Sequence, residues 1–77
     1  MTIEEFIQKI EAEFSDLEQG KLKPDSVFRE AMNWSSINAL ILISLVNTEY
    51  DVILTGDDLR ASITIRDIFN IVESRIS

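Results

Sequence analysis

At 77 residues the chain is a single domain near the lower limit for burying its own core, and without cysteine no disulfide or thiolate metal site can help it. Histidine is absent too, which removes the usual general base and the commonest metal ligand and argues against an enzyme. Fourteen acidic against seven basic residues give a net charge of −7, so nucleic acid and anionic membranes are poor partners and basic protein surfaces are good ones.

The opening MTIEEF has neither the positive region nor the long apolar core of a signal peptide. The longest apolar stretch, 37–46, is about half of what a bilayer requires. Together they predict a cytoplasmic protein that does not insert into membranes; the expected state is a monomer.

Residues 3–17 place Ile3, Phe6, Ile7, Ile10, Phe14 and Leu17 at the spacing of an amphipathic helix. Glu4, Glu5, Gln8, Lys9, Glu11 and Glu13 fill its solvent side. Thr2 with Glu5 forms a capping-box pattern, and Met1 with Phe6 can staple around it. From Glu18 to Trp34 the periodicity lapses, and Gly20 and Pro24 interrupt the backbone. Seventeen residues of loop in so small a domain point to function or to internal anchors, for which Val27, Phe28 and Met32 are the candidates.

A second long helix is predicted from about Ser36 to Glu49, since its length exceeds that of ordinary strands. Ala39, Leu42, Ile43, Val46 and Tyr50 fall in one sector about 100° wide, the expected core face. Ile37, Leu40, Ile41, Ser44 and Thr48 fall roughly opposite. A helix burying one side has no need of Ile37, Leu40 and Ile41 there, so that side is expected to meet a partner. Further on, Thr55 caps a short helix over Gly56 to Ala61. Thr64 opens the last helix, with Asp67 at its third position and Ile65, Ile68, Phe69, Val72 and Ile76 on one side; Ile63 can staple to Ile68. The predicted fold is all-α: a small four-helix bundle of three main helices and one short one, with a long first loop.

The pair Ser35-Ser36 stands at the mouth of the second long helix. As a cap, Ser35 would contribute about 1 kcal/mol. Ser36, as first helical residue, would then point its hydroxyl outward at the positive end of the helix dipole. A phosphodiester on that hydroxyl would be stabilised by free amides and by the dipole. Self-contained nucleophilic catalysis does not suit the position, with no histidine in the chain and no basic residue near in sequence.

Over essentially its whole length the chain resembles an acyl carrier protein. That family carries Asp-Ser-Leu at the start of its second helix, and the matching residues here are Ser35-Ser36-Ile37, after Phe28-Arg29-Glu30-Ala31-Met32-Asn33-Trp34. Thr64-Ile65-Arg66-Asp67 resembles the opening of the family's last helix. Acidity, length, long first loop and short third helix agree. The resemblance implies that Ser36 bears a 4'-phosphopantetheine arm from coenzyme A, with Ser35 as the cap beside it. On that arm acyl intermediates would be held as thioesters. The chain would be a non-catalytic carrier serving a phosphopantetheinyl transferase and acyl-loading or chain-modifying enzymes such as a ketosynthase or acyl ligase. Ile37, Leu40, Ile41 and Ser44, with Trp34, Asp57 and Asp58, would form the docking surface. A core near Ala39, Leu42, Ile43, Val46, Tyr50, Ile63 and Phe69 would shelter an acyl chain.

Two departures bear on the partners. Ser35 stands where the family has the aspartate that helps bind the transferase, and the second long helix lacks the family's row of acids, with only Glu49 near its end. An apolar docking face weakens electrostatic steering and favours dedicated enzymes, as in polyketide or other specialised biosynthesis, over the many partners of fatty-acid synthesis. The alternative is a carrier-like interaction module without a prosthetic group.

Overall fold

The computed structural model describes every residue except Asp16 and Ser77. Five helices follow in order: α1 (Ile3–Glu13), α2 (Phe28–Ala31), α3 (Ser36–Tyr50), α4 (Gly56–Ala61) and α5 (Ile65–Arg75). The all-α expectation holds, with one helix more than predicted. α1 packs on α3 and α5, and α4 packs on α5.

Capping chemistry sets most of the helix starts. The hydroxyls of Thr2, Ser35, Thr55 and Thr64 each accept a hydrogen bond from the amide three residues on. At Thr55 and Thr64 the aspartate of the first turn returns a bond to the cap amide, completing the box. At Thr2 only the hydroxyl half is present among the described residues.

The first helix stops at Glu13, four residues short of the predicted end. Phe14 is already extended, although it remains buried, and Leu17 is half-buried. The chain must turn there because Glu11, assigned to the solvent side from sequence, is only 4% exposed and gathers the returning loop. Its Oε2 accepts from the amides of Gly20 at 3.0 Å and Leu22 at 3.1 Å. A carboxylate bonded to two amides is far cheaper to bury than a bare one. Gly20 makes this turn at φ +82°, a left-handed value that a side chain would strain. Leu22 is a further buried anchor.

The predicted anchors Phe28 and Met32 are buried, but they sit on and just after α2 rather than in irregular loop. One helical turn brings these two residues, four apart, onto the same inward side. The segment is laced to the start of α5 by backbone bonds. Phe28 N donates to Ile63 O, Ile65 N to Ser26 O and Arg66 N to Pro24 O, at 3.3, 3.1 and 2.9 Å. Val27 and Thr64 form an isolated antiparallel bridge within this lacing.

α3 supplies Leu42 and Val46, which meet Phe6, Ile10, Phe28, Ile65, Ile68 and Val72 in the core. The helix ends at Asp51, whose left-handed φ of 55° turns the chain. Val52 and Leu54 are buried while Ile53 between them is exposed, as alternation along extended backbone requires. Two expectations fail at segment ends. Ile63 is 60% exposed, because the extended backbone turns Ser62 inward instead, its Oγ donating to Asp58 O at 2.9 Å. Ile76 is 41% exposed because α5 ends one residue earlier, releasing it from the helical face.

Candidate functional site

The start of α3 is built around a division of labour between two serines. Ser35 is extended, with φ −152° and ψ 169°, and its Oγ accepts from Asn38 N at 3.2 Å. Ser36, the first helical residue, is exposed. Among the described residues, neither its hydroxyl nor the amides of Ser36 and Ile37 are engaged by a protein group. An accessible hydroxyl therefore stands beside two free amides at the positive end of a 15-residue helix.

The approach to these serines is held rigidly. Asn38 Nδ2 donates to Met32 O and to Asn33 O, both at 3.1 Å. Asn33 is left-handed, with φ 47°, a conformation asparagine tolerates better than most residues. Trp34 is half-buried and stands edge-on to Phe28, ring centroids 4.9 Å apart. On Phe28 also lies the Arg29 guanidinium, 4.6 Å from the ring centroid. Arg29 donates to Ser62 O at 2.7 Å and to Leu59 O, so it binds α2 to the C-terminal end of α4. Asn38 and Arg29 were not singled out from sequence. Their acceptors are backbone carbonyls in a turn and a helix end whose positions only the fold supplies.

Beside Ser36 the outer side of α3 is apolar and open. Ile37 and Leu40 are 68% and 66% exposed, Ser44 is exposed and Ile41 half-buried. With Glu13 these four line a shallow groove of about 270 Å³. A larger recess of about 500 Å³, between α1 and the first loop, shares no lining residue with it. The acids predicted for docking divide in behaviour. Asp57 is exposed and pairs with Arg60, whereas Asp58 is engaged by Arg75 and by the Thr55 amide. The Arg75 guanidinium, then the Thr55 amide, hold the Asp58 carboxyl well below the usual carboxylate range. Glu49, the acid near the end of α3, is paired with Lys9 at 2.8 Å. That bond raises the Lys9 pKa.

Of the residues expected to shelter an acyl chain, Leu42, Val46 and Phe69 are buried, and Ala39, Ile43 and Tyr50 are half-buried against the same core. Ile63 points to solvent and does not belong with them. Tyr50 packs on Phe6, its Oη buried and unpartnered among the described residues, and burial raises its pKa.

No family model matches the chain, and no curated protein matches it.

Proposed function

We propose that the chain is an acyl carrier, modified on the Ser36 hydroxyl with 4'-phosphopantetheine. The observation that carries the reading is the pairing of Ser35, engaged as the helix cap, with Ser36, exposed and unengaged at the first helical position. The residues present fit the group's attachment point. A phosphodiester at Ser36 Oγ would be adjacent to the free amides of Ser36 and Ile37 and to the positive helix end.

When attached, the arm would supply a terminal thiol able to carry an acyl group as a thioester. The chain's own residues bind and orient. Ser36 Oγ would form a bond to the phosphorus of coenzyme A that bears pantetheine, giving up its proton, while the pyrophosphate bond from that phosphorus breaks and 3',5'-ADP leaves. The transferase must supply the base, since this chain has no histidine. Ile37, Leu40 and Ile41 offer an apolar surface next to the modified residue, and tethering raises the local concentration of cargo at a docked enzyme. No acid stands on the exposed side of α3 between Ser36 and Thr48, which favours a dedicated set of partners.

The test is intact mass after incubation with coenzyme A, Mg²⁺ and a broad-specificity phosphopantetheinyl transferase, run on the wild type, Ser35→Ala and Ser36→Ala. A single phosphopantetheine adduct absent only from Ser36→Ala supports the reading. An unmodified wild type would sink it and leave an interaction module whose two serines serve the helix start.

A further inference from the structure

The residue two places after Ser36 does more than extend the helix. Asn38 uses both of its nitrogens on the segment that leads into the site. Its backbone N–H meets Ser35 Oγ at 3.2 Å, and its side-chain Nδ2 meets Met32 O and Asn33 O, each at 3.1 Å. Three of the six residues from Met32 to Ile37 are thereby bonded to one side chain and its amide. Met32 is itself buried in the core, and Asn33 carries the left-handed turn that swings Trp34 onto Phe28. The arrangement fixes the last turn of chain before α3 at both ends, by the core at Met32 and by Asn38 at Asn33 and Ser35.

From this geometry we infer that Asn38 is a positioning residue for Ser36: it holds the entry turn so that the backbone bearing the hydroxyl is presented to the modifying enzyme in one place. The inference rests on the carrier reading and deepens it. The amide is chemically required. Both acceptors are carbonyl oxygens, so the group facing them must donate two hydrogen bonds. An aspartate of the same shape donates none when ionised and would face two carbonyl dipoles with a negative charge. A leucine of similar volume also donates none, without adding charge. In either variant the Ser35 cap survives, because it uses the backbone N–H. What is released is the Met32–Asn33 turn, and with it the fixed placement of the backbone that carries Ser36.

The effect should appear in kcat rather than KM. Docking would depend on the exposed Ile37 and Leu40 and the half-buried Ile41, which neither substitution alters, whereas misalignment of a reacting hydroxyl acts on the chemical step. A reacting atom displaced by about 1 Å can lower kcat by roughly 100-fold, so a loss of roughly 10- to 100-fold is expected.

The experiment compares wild type, Asn38→Asp and Asn38→Leu as substrates of the transferase, with kcat and KM separated. Circular dichroism confirms that each variant is folded, and Trp34 fluorescence reports the entry turn. The expected result is a kcat lowered at least about tenfold in both variants with KM within about twofold, and a red-shifted Trp34 emission. A wild-type kcat in either folded variant overturns the inference while leaving Ser36 as the attachment site. A loss in Asn38→Asp alone also overturns it, since that is the signature of added charge. A wild type that accepts no phosphopantetheine removes the carrier reading and this inference with it.

Discussion

Arg75 grips Asp58 with both terminal guanidinium nitrogens, Nη1 to Oδ2 at 2.6 Å and Nη2 to Oδ1 at 2.9 Å. The same Nη1 donates to Ile53 O at 3.1 Å, and Asp58 Oδ2 accepts from the Thr55 amide at 2.8 Å. The end of α5, the start of α4 and the connection leaving α3 thus meet at one Asp58–Arg75 pair. Such a fork-to-fork pair is stronger than an ordinary surface contact, and 15% exposure of the Asp58 side chain shields it in part.

This junction sets an acid limit on stability. The folded Asp58 pKa lies below its unfolded value, so its contribution is present above the ordinary carboxylate value of about 3.9 and is lost as pH falls through and below it. Asp67, held down by the Thr64 and then the Ile63 amide, acts with the same sign. Urea unfolding across that range should show stability declining with acid. Asp58→Asn should lower the neutral-pH value by about 1 kcal/mol and flatten the decline without abolishing it. An unchanged slope would show that Asp58 is not a source of the acid sensitivity.

Glu11 should be the acid the fold can least do without. Glu11→Leu leaves the Gly20 and Leu22 amides without their acceptor and is expected to cost about 1–3 kcal/mol. Glu11→Gln keeps an acceptor oxygen and should lose less. Amide hydrogen exchange at Gly20 and Leu22 is the direct measurement, with faster exchange expected in the leucine variant and intermediate rates in the glutamine one.

Leu40 and Leu42 are the same residue type on one helix with opposite fates, one 66% exposed and the other fully buried. Leu42→Ala should destabilise by about 2–5 kcal/mol. Leu40→Ala should fall within about 0.5 kcal/mol of wild type, yet slow modification by the transferase through weaker docking. A transferase kcat/KM unaffected by Leu40→Ala would remove the outer side of α3 from the docking surface.

The Tyr50 hydroxyl predicts a change in the other direction. A buried oxygen without a partner is a standing penalty, so Tyr50→Phe should keep the packing on Phe6 and raise stability by up to about 1 kcal/mol. Thermal denaturation of the two proteins decides it, and a lower midpoint for the phenylalanine variant would mean the hydroxyl does have a partner.

What the sequence revealed and what it hid divide by the range of the interactions. Ser35, Thr55 and Thr64 were readable as caps because each bonds an amide three residues away. The extremes of α3, exposed Ile37 and Leu40 against buried Leu42 and Val46, were readable because a 15-residue helix gives periodicity room to appear, whereas Ile41, expected outside, is half-buried against the core. α2 was hidden because four residues are too few to show a period, and its fixing bonds reach residues near 63. Glu11 lies about 40° beyond Ile7 around the helix, at the margin of the apolar arc, so a hint existed. Its burial nevertheless depends on two amides from a loop with no readable shape. For Ile63 the difficulty is phase: in a short extended segment, whether residue 62 or 63 faces inward is decided by the Ser62 bond to α4. At the candidate site the exposed serine at the helix start was legible and the bonds of Asn38 were not, since its side chain reaches back to a turn set by Asn33.

The lacing of residues 24–28 to 63–66 has a bearing on how the chain acquires its shape. Phe28, Ile65 and Arg66 donate across a sequence separation of nearly half the protein, and Val27 bridges to Thr64 within the same short zipper. A chain growing from its N-terminus can wind the first and third helices early, but it cannot seat the long connection until the final helix exists. The turn before Ser36 closes on shorter-range bonds, from Asn38 to Met32, Asn33 and Ser35, but the segment that leads into it is seated only through residues 63–66. An enzyme that required the seated connection as well as the local turn would act only on chains in which residues 63–66 are in place.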